Sequence, residues 1–178
     1  MLASTLSALF LAAAALGAPT DINERGNNNY HIVTKRPGDG HQFCLDVRDG
    51  KFGQDAPVQM WTCYQGSDNQ RWHMAGNTAP NQGNLQITIT NPKTHEVWCL
   101  ATSELNYVRA TLRLKRCDSQ DKRQFWRYAV ESRKPKRILT QWGLAMDVAE
   151  TNWNDGAAIQ VYNPWFENPN QHWEFINI

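Results

Sequence analysis

Apolar and polar residues alternate in short runs along most of the chain. Runs 58–60, 112–114 and 159–161 each place an apolar residue on both sides of a polar one, which is the two-residue period of a β-strand. Residues that favour turns separate such runs, for example Arg48-Asp49-Gly50 and Asn91-Pro92. Beyond the N-terminal segment, no window of about 11 residues sustains the stripe of an amphipathic helix. The pattern therefore predicts an all-β protein built from short strands.

A Gln-x-Trp motif occurs three times, at Gln70–Trp72, Gln124–Trp126 and Gln171–Trp173, with intervals of 54 (124 − 70) and 47 (171 − 124) residues. One such unit cannot bury its own apolar face, so three copies are expected to close around a shared core. A β-trefoil is preferred to a propeller, because three blades lie below the usual number. The three repeats are predicted at approximately residues 30–82, 83–130 and 131–178.

The spacing within the motif indicates a structural role. If Gln70 and Trp72 lay in one strand, they would face the same side of the sheet. The indole can pack in the core, whereas the buried amide needs a hydrogen-bond partner, which a backbone group of the same repeat is expected to supply. We therefore interpret Gln-x-Trp as the anchor of each repeat, with any contact to a ligand as its second role.

The first twenty residues carry no charged side chain, and their apolar run from about Leu6 to Leu16 is too short to span a bilayer. Ala15-Leu16-Gly17 places small residues where a signal peptidase reads, which predicts cleavage before Ala18. The alternative, a buried N-terminal helix, is disfavoured because polar, Asn-rich sequence follows at once. We predict a signal peptide at residues 1–17, a mature domain at 18–178 and a secreted protein. No later stretch approaches the length of a transmembrane segment.

The chain contains four cysteines, Cys44, Cys63, Cys99 and Cys117. Export makes disulfide bonds permissible, so pairing is the expected state of these residues. A zinc site is the competing interpretation, but the cysteines show no Cys-x-x-Cys spacing and no matching histidine set. The sequence therefore predicts neither a metal nor a cofactor.

The formal net charge of +1 conceals an uneven distribution. Between Lys93 and Arg137 there are twelve basic and five acidic residues, a balance of +7 (12 − 5), whereas residues 138–178 contain five acids and no Lys or Arg. Such asymmetry can mark a surface for anionic partners, or it can be an ordinary solvated face. We favour the second interpretation and expect no nucleic-acid binding.

Three features together carry a resemblance to a known family: the three Gln-x-Trp motifs, the Cys-Leu-Asp-Val sequence at 44–47, and DAPVQMWTC at 55–63. The chain resembles the ricin-type lectins, which are β-trefoil carbohydrate-binding domains, over roughly residues 30–178. The resemblance implies disulfides within repeats, here Cys44–Cys63 and Cys99–Cys117. The third repeat has Ala145 and Pro164 at the corresponding places, so it lacks this bridge.

The resemblance also implies a sugar site in the first repeat and another in the third. A carboxylate would accept hydrogen bonds from vicinal hydroxyls, an aromatic ring would stack on the C–H face of the sugar, and amides would bind or orient. In the first repeat the implied residues are Asp46, Gln59, Trp61, Asn69 and Gln70. In the third repeat they are Asp147, Gln160, Tyr162, Asn170 and Gln171. The distance from Asp to the mid-repeat Gln is 13 residues in both (59 − 46 and 160 − 147).

The middle repeat lacks this set at every decisive place. Ala101 replaces the carboxylate, Arg113 the glutamine, Lys115 the aromatic ring and Arg123 the asparagine. Taken singly, each aspartate could be a turn-capping residue and each ring part of the barrel rim. Taken jointly, five positions recur in two repeats and are lost together in the third, which favours two binding sites. Gln124 and Trp126 remain in the middle repeat, as a packing anchor would.

We therefore expect a secreted lectin whose partners are glycans, with galactose or N-acetylgalactosamine implied by the resemblance. Catalysis is not expected, because each predicted site offers one carboxylate and no Gly-x-Ser-x-Gly motif occurs. The alternative is an interaction module whose basic middle repeat, together with the run Arg133-Lys134-Pro135-Lys136-Arg137 that follows it, binds anionic glycans or other acidic partners.

Overall fold

The computed structural model describes residues 28–178, so the predicted signal peptide at 1–17 lies outside the described residues. The described part forms one twelve-stranded antiparallel sheet system with short 3-10 turns. The strands are β1 (Tyr30–Lys35), β2 (Gln42–Val47), β3 (Val58–Thr62), β4 (Trp72–Gly76), β5 (Leu85–Thr90), β6 (Val97–Thr102), β7 (Leu112–Arg116), β8 (Trp126–Ala129), β9 (Arg137–Thr140), β10 (Ala145–Val148), β11 (Ile159–Tyr162) and β12 (Glu174–Asn177). The 3-10 turns are Arg48–Gly50, Asp68–Gln70, Lys122–Gln124, Ala149–Thr151 and Pro169–Gln171. None of the helical turns within 28–178 is long or apolar enough to cross a membrane.

Each repeat contributes four strands, and the twelve divide into a barrel and three hairpins. The barrel forms where β4 pairs with β5, β8 pairs with β9, and β12 pairs with β1, with Tyr30 opposite Asn177. The second and third strands of each repeat form the hairpins β2–β3, β6–β7 and β10–β11. The predicted all-β, β-trefoil architecture is confirmed.

The tryptophans of the three Gln-x-Trp motifs lie in the shared core. Trp72, Trp126 and Trp173 are each fully buried. Their indole N–H groups donate to backbone carbonyls of the same repeat, those of Leu45 (2.8 Å), Leu100 (2.9 Å) and Met146 (3.1 Å). The three indoles therefore tie the second strand of each repeat to the centre of the barrel in the same way.

The glutamine of the motif does not lie in a strand, so the expected strand geometry is wrong. Gln70 ends a 3-10 turn, and β4 begins only at Trp72. The turn brings the amide back over the end of β3, where its oxygen accepts from the Tyr64 backbone N–H (2.9 Å) and its nitrogen donates to the Thr62 carbonyl (3.1 Å). The two-residue spacing of Gln and Trp resembles that of a strand, although the glutamine belongs to a turn. The hydrogen-bond partners expected for its amide, backbone groups of the same repeat, are present.

The other two glutamines make the same pair of bonds. Gln124 accepts from the N–H of Asp118 (2.9 Å) and donates to the carbonyl of Arg116 (2.8 Å). Gln171 accepts from the N–H of Trp165 (2.8 Å) and donates to the carbonyl of Asn163 (3.0 Å). Because the middle repeat keeps these bonds, the anchoring role explains why its motif persists.

Disulfides join Cys44 to Cys63 and Cys99 to Cys117, at the base of the first and second hairpins. No cysteine is free, so none remains as a thiolate ligand for a metal. At the corresponding place in the third repeat, Ala145 lies opposite Tyr162 across the β10–β11 pair.

The three hairpins interlock around the pseudo-threefold axis through one turn residue from each repeat. Asp55, Arg109 and Gly156 have positive φ values of 62°, 73° and 86°. Their backbone N–H groups donate to Leu114 (2.8 Å), Val161 (2.7 Å) and Met60 (2.9 Å), each in a different repeat. Each hairpin strand β3, β7 or β11 therefore lies beside a turn from another repeat.

Candidate functional site

The first candidate site lies on the β2–β3 hairpin. Asp46 on β2 is directly opposite Gln59 on β3, and the two-residue strand period puts Trp61 on the same face. These side chains line one depression with a volume of about 210 Å³. The complete lining comprises Asp46, Asp49, Gln59, Trp61, Tyr64, Ser67, Asn69 and Gln70. The structure thus brings together all five residues predicted for the first repeat.

Amide groups hold the Asp46 carboxylate in position. Gln59 Nε2 donates to one carboxylate oxygen (3.0 Å), and Gln70 Nε2 donates to the other (3.1 Å). A carboxylate has about four lone-pair sites, so each oxygen can accept a further hydrogen bond. Burial raises the pKa of the Asp46 carboxyl, although the two amide donors oppose that shift. Gln70 therefore has both roles, because it fastens the repeat and orients the carboxylate.

The third repeat contains the equivalent depression, with a volume of about 220 Å³. Asp147 on β10 is opposite Gln160 on β11, and Tyr162 occupies the place of Trp61. The lining comprises Arg109, Asp147, Glu150, Thr151, Gln160, Tyr162, Asn168 and Asn170. Of the five residues predicted for this repeat, Gln171 is the only one outside the lining, and it contacts the carboxylate from behind (Nε2 to Oδ2, 3.0 Å).

Asp147 accepts from one more amide than Asp46 does. Gln160 Nε2 donates to Oδ1 (3.0 Å), while Gln171 and Asn168 both donate to Oδ2 (3.0 and 3.2 Å). Burial raises the pKa of the Asp147 carboxyl, against the effect of these three amides. Sequence reasoning missed Asn168, whose counterparts Ser67 and Asp121 differ in side chain, so no recurring residue type pointed to it.

The predicted asparagines, Asn69 and Asn170, each line their depression. In the third repeat, Asn170 Nδ2 donates to the Thr151 hydroxyl (3.0 Å), and its Oδ1 is buried with no hydrogen-bond partner among residues 28–178. In the first repeat, glycine stands at the equivalent place: a Cβ on Gly50 would lie 3.1 Å from Asn69 Oδ1. The positive φ of Gly50 (61°) also favours glycine there.

Each depression contains a second carboxylate, which corrects the expectation of one per site. Asp49 and Glu150 line the two depressions and stand three residues after Asp46 and Asp147 (49 − 46 and 150 − 147). This shared offset was the signal that sequence reasoning overlooked. Asp49 also accepts a hydrogen bond from Lys51 Nζ (3.1 Å).

The middle repeat keeps the register of the site but not its chemistry. Ala101 lies directly opposite Arg113, as Asp46 lies opposite Gln59. Lys115, at the place of the ring, forms an ion pair with Asp55 of the first repeat. Arg123, at the place of the asparagine, donates from Nε and a terminal nitrogen to Asp121 (both 2.8 Å). Internal ion pairs therefore take up two of the three cations that replace the sugar-site residues.

The basic run 133–137 is also largely paired within the protein. Lys134 and Arg137 both contact Glu131 (3.2 and 3.5 Å), and Lys136 contacts Glu174 (3.3 Å). Lys134 and Arg137 further approach the Phe166 ring, at 4.0 and 3.6 Å from its centroid. Surface ion pairs of this kind leave less free positive charge than the residue count predicts.

The fold and the two carboxylate–ring depressions together define a class of protein, a β-trefoil of the lectin type. The family model for the ricin-type beta-trefoil lectin domain matches residues 42–173. The chain therefore belongs to the ricin-type β-trefoil lectin family. This membership supports carbohydrate binding, and it confirms the resemblance derived from the repeats.

Solved structures with the same fold include a designed protein and two natural lectins. The designed threefold-symmetric protein ThreeFoil is 20% identical with a TM-score of 0.66, covering 84% of this chain and 99% of that one. The C-half of the earthworm R-type lectin, solved with GalNAc, is 14% identical with a TM-score of 0.58 and coverages of 84% and 99%. The Macrolepiota procera ricin B-like lectin, solved with lactose, is 14% identical with a TM-score of 0.59 and coverages of 83% and 93%. A comparison with curated proteins finds no match.

Proposed function

We propose that the protein is a secreted, non-enzymatic lectin that binds galactose- or N-acetylgalactosamine-type glycans through the first and third repeats. The observation that carries this proposal is the recurrence of one arrangement in two repeats. A buried carboxylate held by amides and an aromatic ring two residues beyond its opposing glutamine line one depression in each. The middle repeat has Ala101 and Lys115 at those places.

The arrangement suits a neutral sugar. Each oxygen of Asp46 accepts from one amide and retains capacity for a sugar hydroxyl, so this carboxylate can bind two vicinal hydroxyls. Asp147 Oδ1 has the same capacity, whereas its Oδ2 already accepts from two amides. Trp61 or Tyr162 offers a flat apolar face for the C–H side of the ring. The preference for galactose-type sugars rests on the family resemblance and on the GalNAc and lactose named for the two related lectins.

Hydrolysis is disfavoured despite the second carboxylate in each depression. A glycosidase needs one protonated carboxyl and one ionised carboxylate that face the same bond. In the first site, both oxygens of Asp46 accept amide hydrogens and Asp49 accepts from Lys51, so the two carboxylates are arranged as hydrogen-bond acceptors and neither is placed as a proton donor. The alternative role for the basic segment 93–137 is disfavoured because six of its twelve cations have acidic partners in the protein.

A glycan array tests the proposal with the wild type, Asp46→Ala and Asp147→Ala. The wild type should bind glycans that end in galactose or N-acetylgalactosamine, and each variant should keep weaker binding through its remaining site. Alanine is a matched replacement because Ala101 occupies this place naturally. Full binding by both variants, or hydrolysis of a bound glycan by the wild type, would contradict the proposal.

Binding should also weaken in acid. Burial raises the pKa values of Asp46 and Asp147, so each carboxylate becomes neutral at a higher pH than an ordinary aspartate. Protonation removes the charge from the hydrogen bonds to the sugar, so the affinity of each site should fall about tenfold as the pH decreases through the raised pKa. Calorimetric titration with lactose over a pH series measures this effect.

Circular dichroism at each pH separates this loss of binding from unfolding. The folded protein takes up these two protons more readily than the unfolded chain, so their protonation makes folding more favourable while it weakens binding. An affinity that stays constant until ordinary aspartates titrate would contradict the assigned role of these carboxylates.

A further inference from the structure

The third-repeat depression contains one residue from another repeat, Arg109. This arginine follows β6 in the middle repeat, yet it lines the depression together with Asp147 and Tyr162. Its guanidinium carbon lies 6.0 Å from the centroid of the Tyr162 ring. A cation therefore stands beside the ring on which a bound sugar would stack.

Backbone bonds fix Arg109 at this place. Its N–H donates to the Val161 carbonyl (2.7 Å), and the N–H of Val161 donates back to the carbonyl of Ala110 (2.9 Å). Val161 directly precedes Tyr162, so the turn that carries Arg109 is held against the strand that carries the ring, which belongs to a different repeat. The position of Arg109 is thus set by backbone hydrogen bonds between the second and third repeats.

The equivalent turn residues of the other repeats approach the same place in their neighbours. Gly156 lies beside the ring of the first site, where an added Cβ would be 3.8 Å from Trp61. Asp55 pairs with Lys115, which occupies the ring position of the middle repeat. The residue at this turn position therefore sets the charge beside the place of the ring. It is uncharged at the first site (Gly156), acidic at the middle repeat (Asp55) and basic at the third site (Arg109).

The charge of Arg109 is not neutralised within the described chain. Among residues 28–178, its side chain forms no ion pair within 4.0 Å and no hydrogen bond, and its ring contact with Tyr162 leaves the guanidinium hydrogens available. By contrast, Arg48, which contacts the first site through Gln59, donates to Gln59 Oε1 and to the Gly156 carbonyl (both 2.8 Å). The two sites thus differ in whether an arginine side chain is available to bind a ligand.

We propose that Arg109 makes the third-repeat site selective for saccharides with an anionic substituent, a carboxylate or a sulfate, whereas the first site takes neutral sugar. This inference rests on the proposed function. The guanidinium group matches the geometry of such anions and forms charge-assisted hydrogen bonds to them. Glu150 opposes this effect, but Asp49 stands at the equivalent place in the first site, so the acid does not distinguish the two sites.

The test isolates each site in turn. In an Asp46→Ala background only the third site remains, and in an Asp147→Ala background only the first remains. Calorimetric titrations compare galactose, galacturonic acid and galactose 6-sulfate on both proteins. The third site should bind at least one anionic sugar about tenfold or more tightly than galactose, with the preference reduced by salt. The first site should show no such preference.

Substitutions of Arg109 then assign the preference to this residue. In the Asp46→Ala background, Arg109→Gln should lower the affinity for the anionic sugars to that for galactose, and Arg109→Lys should restore part of the preference. Glu150→Gln should strengthen the binding of the anionic sugars. Circular dichroism checks that each variant is folded.

The outcomes separate the two proposals. Equal affinities for neutral and anionic sugars at the third site, or a preference that survives Arg109→Gln, would overturn the role of Arg109 and leave the lectin assignment in place. Failure of both single-site proteins and of the wild type to bind any of the three sugars would overturn both proposals.

Discussion

Replacement of Trp126 by alanine is expected to lower the free energy of unfolding by about 3–5 kcal/mol, although its repeat has no sugar-site residues. Trp126 is fully buried, and its indole N–H donates to the Leu100 carbonyl (2.9 Å). The substitution opens a cavity in the shared core and leaves that carbonyl without its partner. Chemical denaturation followed by fluorescence or circular dichroism measures the change.

Two variants serve as controls for this effect. Trp165→Ala changes a tryptophan that is 62% exposed, and should alter the free energy of unfolding by less than about 0.5 kcal/mol. Trp126→Phe keeps an aromatic ring but removes the N–H donor. Its loss in free energy of unfolding should therefore lie between those of Trp165→Ala and Trp126→Ala. A loss below about 1 kcal/mol for Trp126→Ala would refute the anchoring role of the motif.

Loss of both carboxylates should remove binding to clustered glycans altogether. Two sites in different repeats of one chain can engage a dense glycan surface together, and effective concentration then raises the apparent affinity by about 10²–10⁴. Asp46→Ala or Asp147→Ala alone should forfeit this gain but keep the weak affinity of one site. Surface plasmon resonance on a galactose-coated surface should therefore give partial loss for each single variant and no binding for the double variant.

A matched control removes a carboxylate from the repeat without a sugar site. Asp118→Ala changes an exposed residue of the middle repeat and should leave binding unchanged. Undiminished binding by a folded Asp46→Ala/Asp147→Ala protein would show that the saccharide, if bound, is held elsewhere.

Much of the fold follows from local patterns in the sequence. The alternating runs and the three Gln-x-Trp motifs specify strands and repeats, because strand period and core packing leave direct traces in residue order. The equal 13-residue spacing of Asp46–Gln59 and Asp147–Gln160 corresponds to pairs that lie directly opposite in antiparallel hairpins. The strand geometry expected for Gln70 is wrong, because a 3-10 turn followed by a strand gives the same two-residue spacing between the glutamine and the tryptophan.

The features that were not foreseen depend on contacts between repeats. Arg109 and Gly156 reach their neighbours' rings only because the hairpins interlock around the axis, and nothing in residue order reports which turn meets which strand. The excess of basic residues suggested a charged surface, but Asp55, the partner of Lys115, lies in another repeat, and Glu174, the partner of Lys136, lies 38 residues further along the chain (174 − 136). Such pairs form in three dimensions and leave no spacing signal.

A co-crystal structure with the saccharide that binds best in the glycan array would show where the protein holds a sugar. We predict a sugar in each of two depressions, with its hydroxyls on Asp46 or Asp147 and its C–H face on Trp61 or Tyr162, and none beside Ala101. A sugar bound in the middle repeat, or one that contacts neither aspartate, would contradict this prediction.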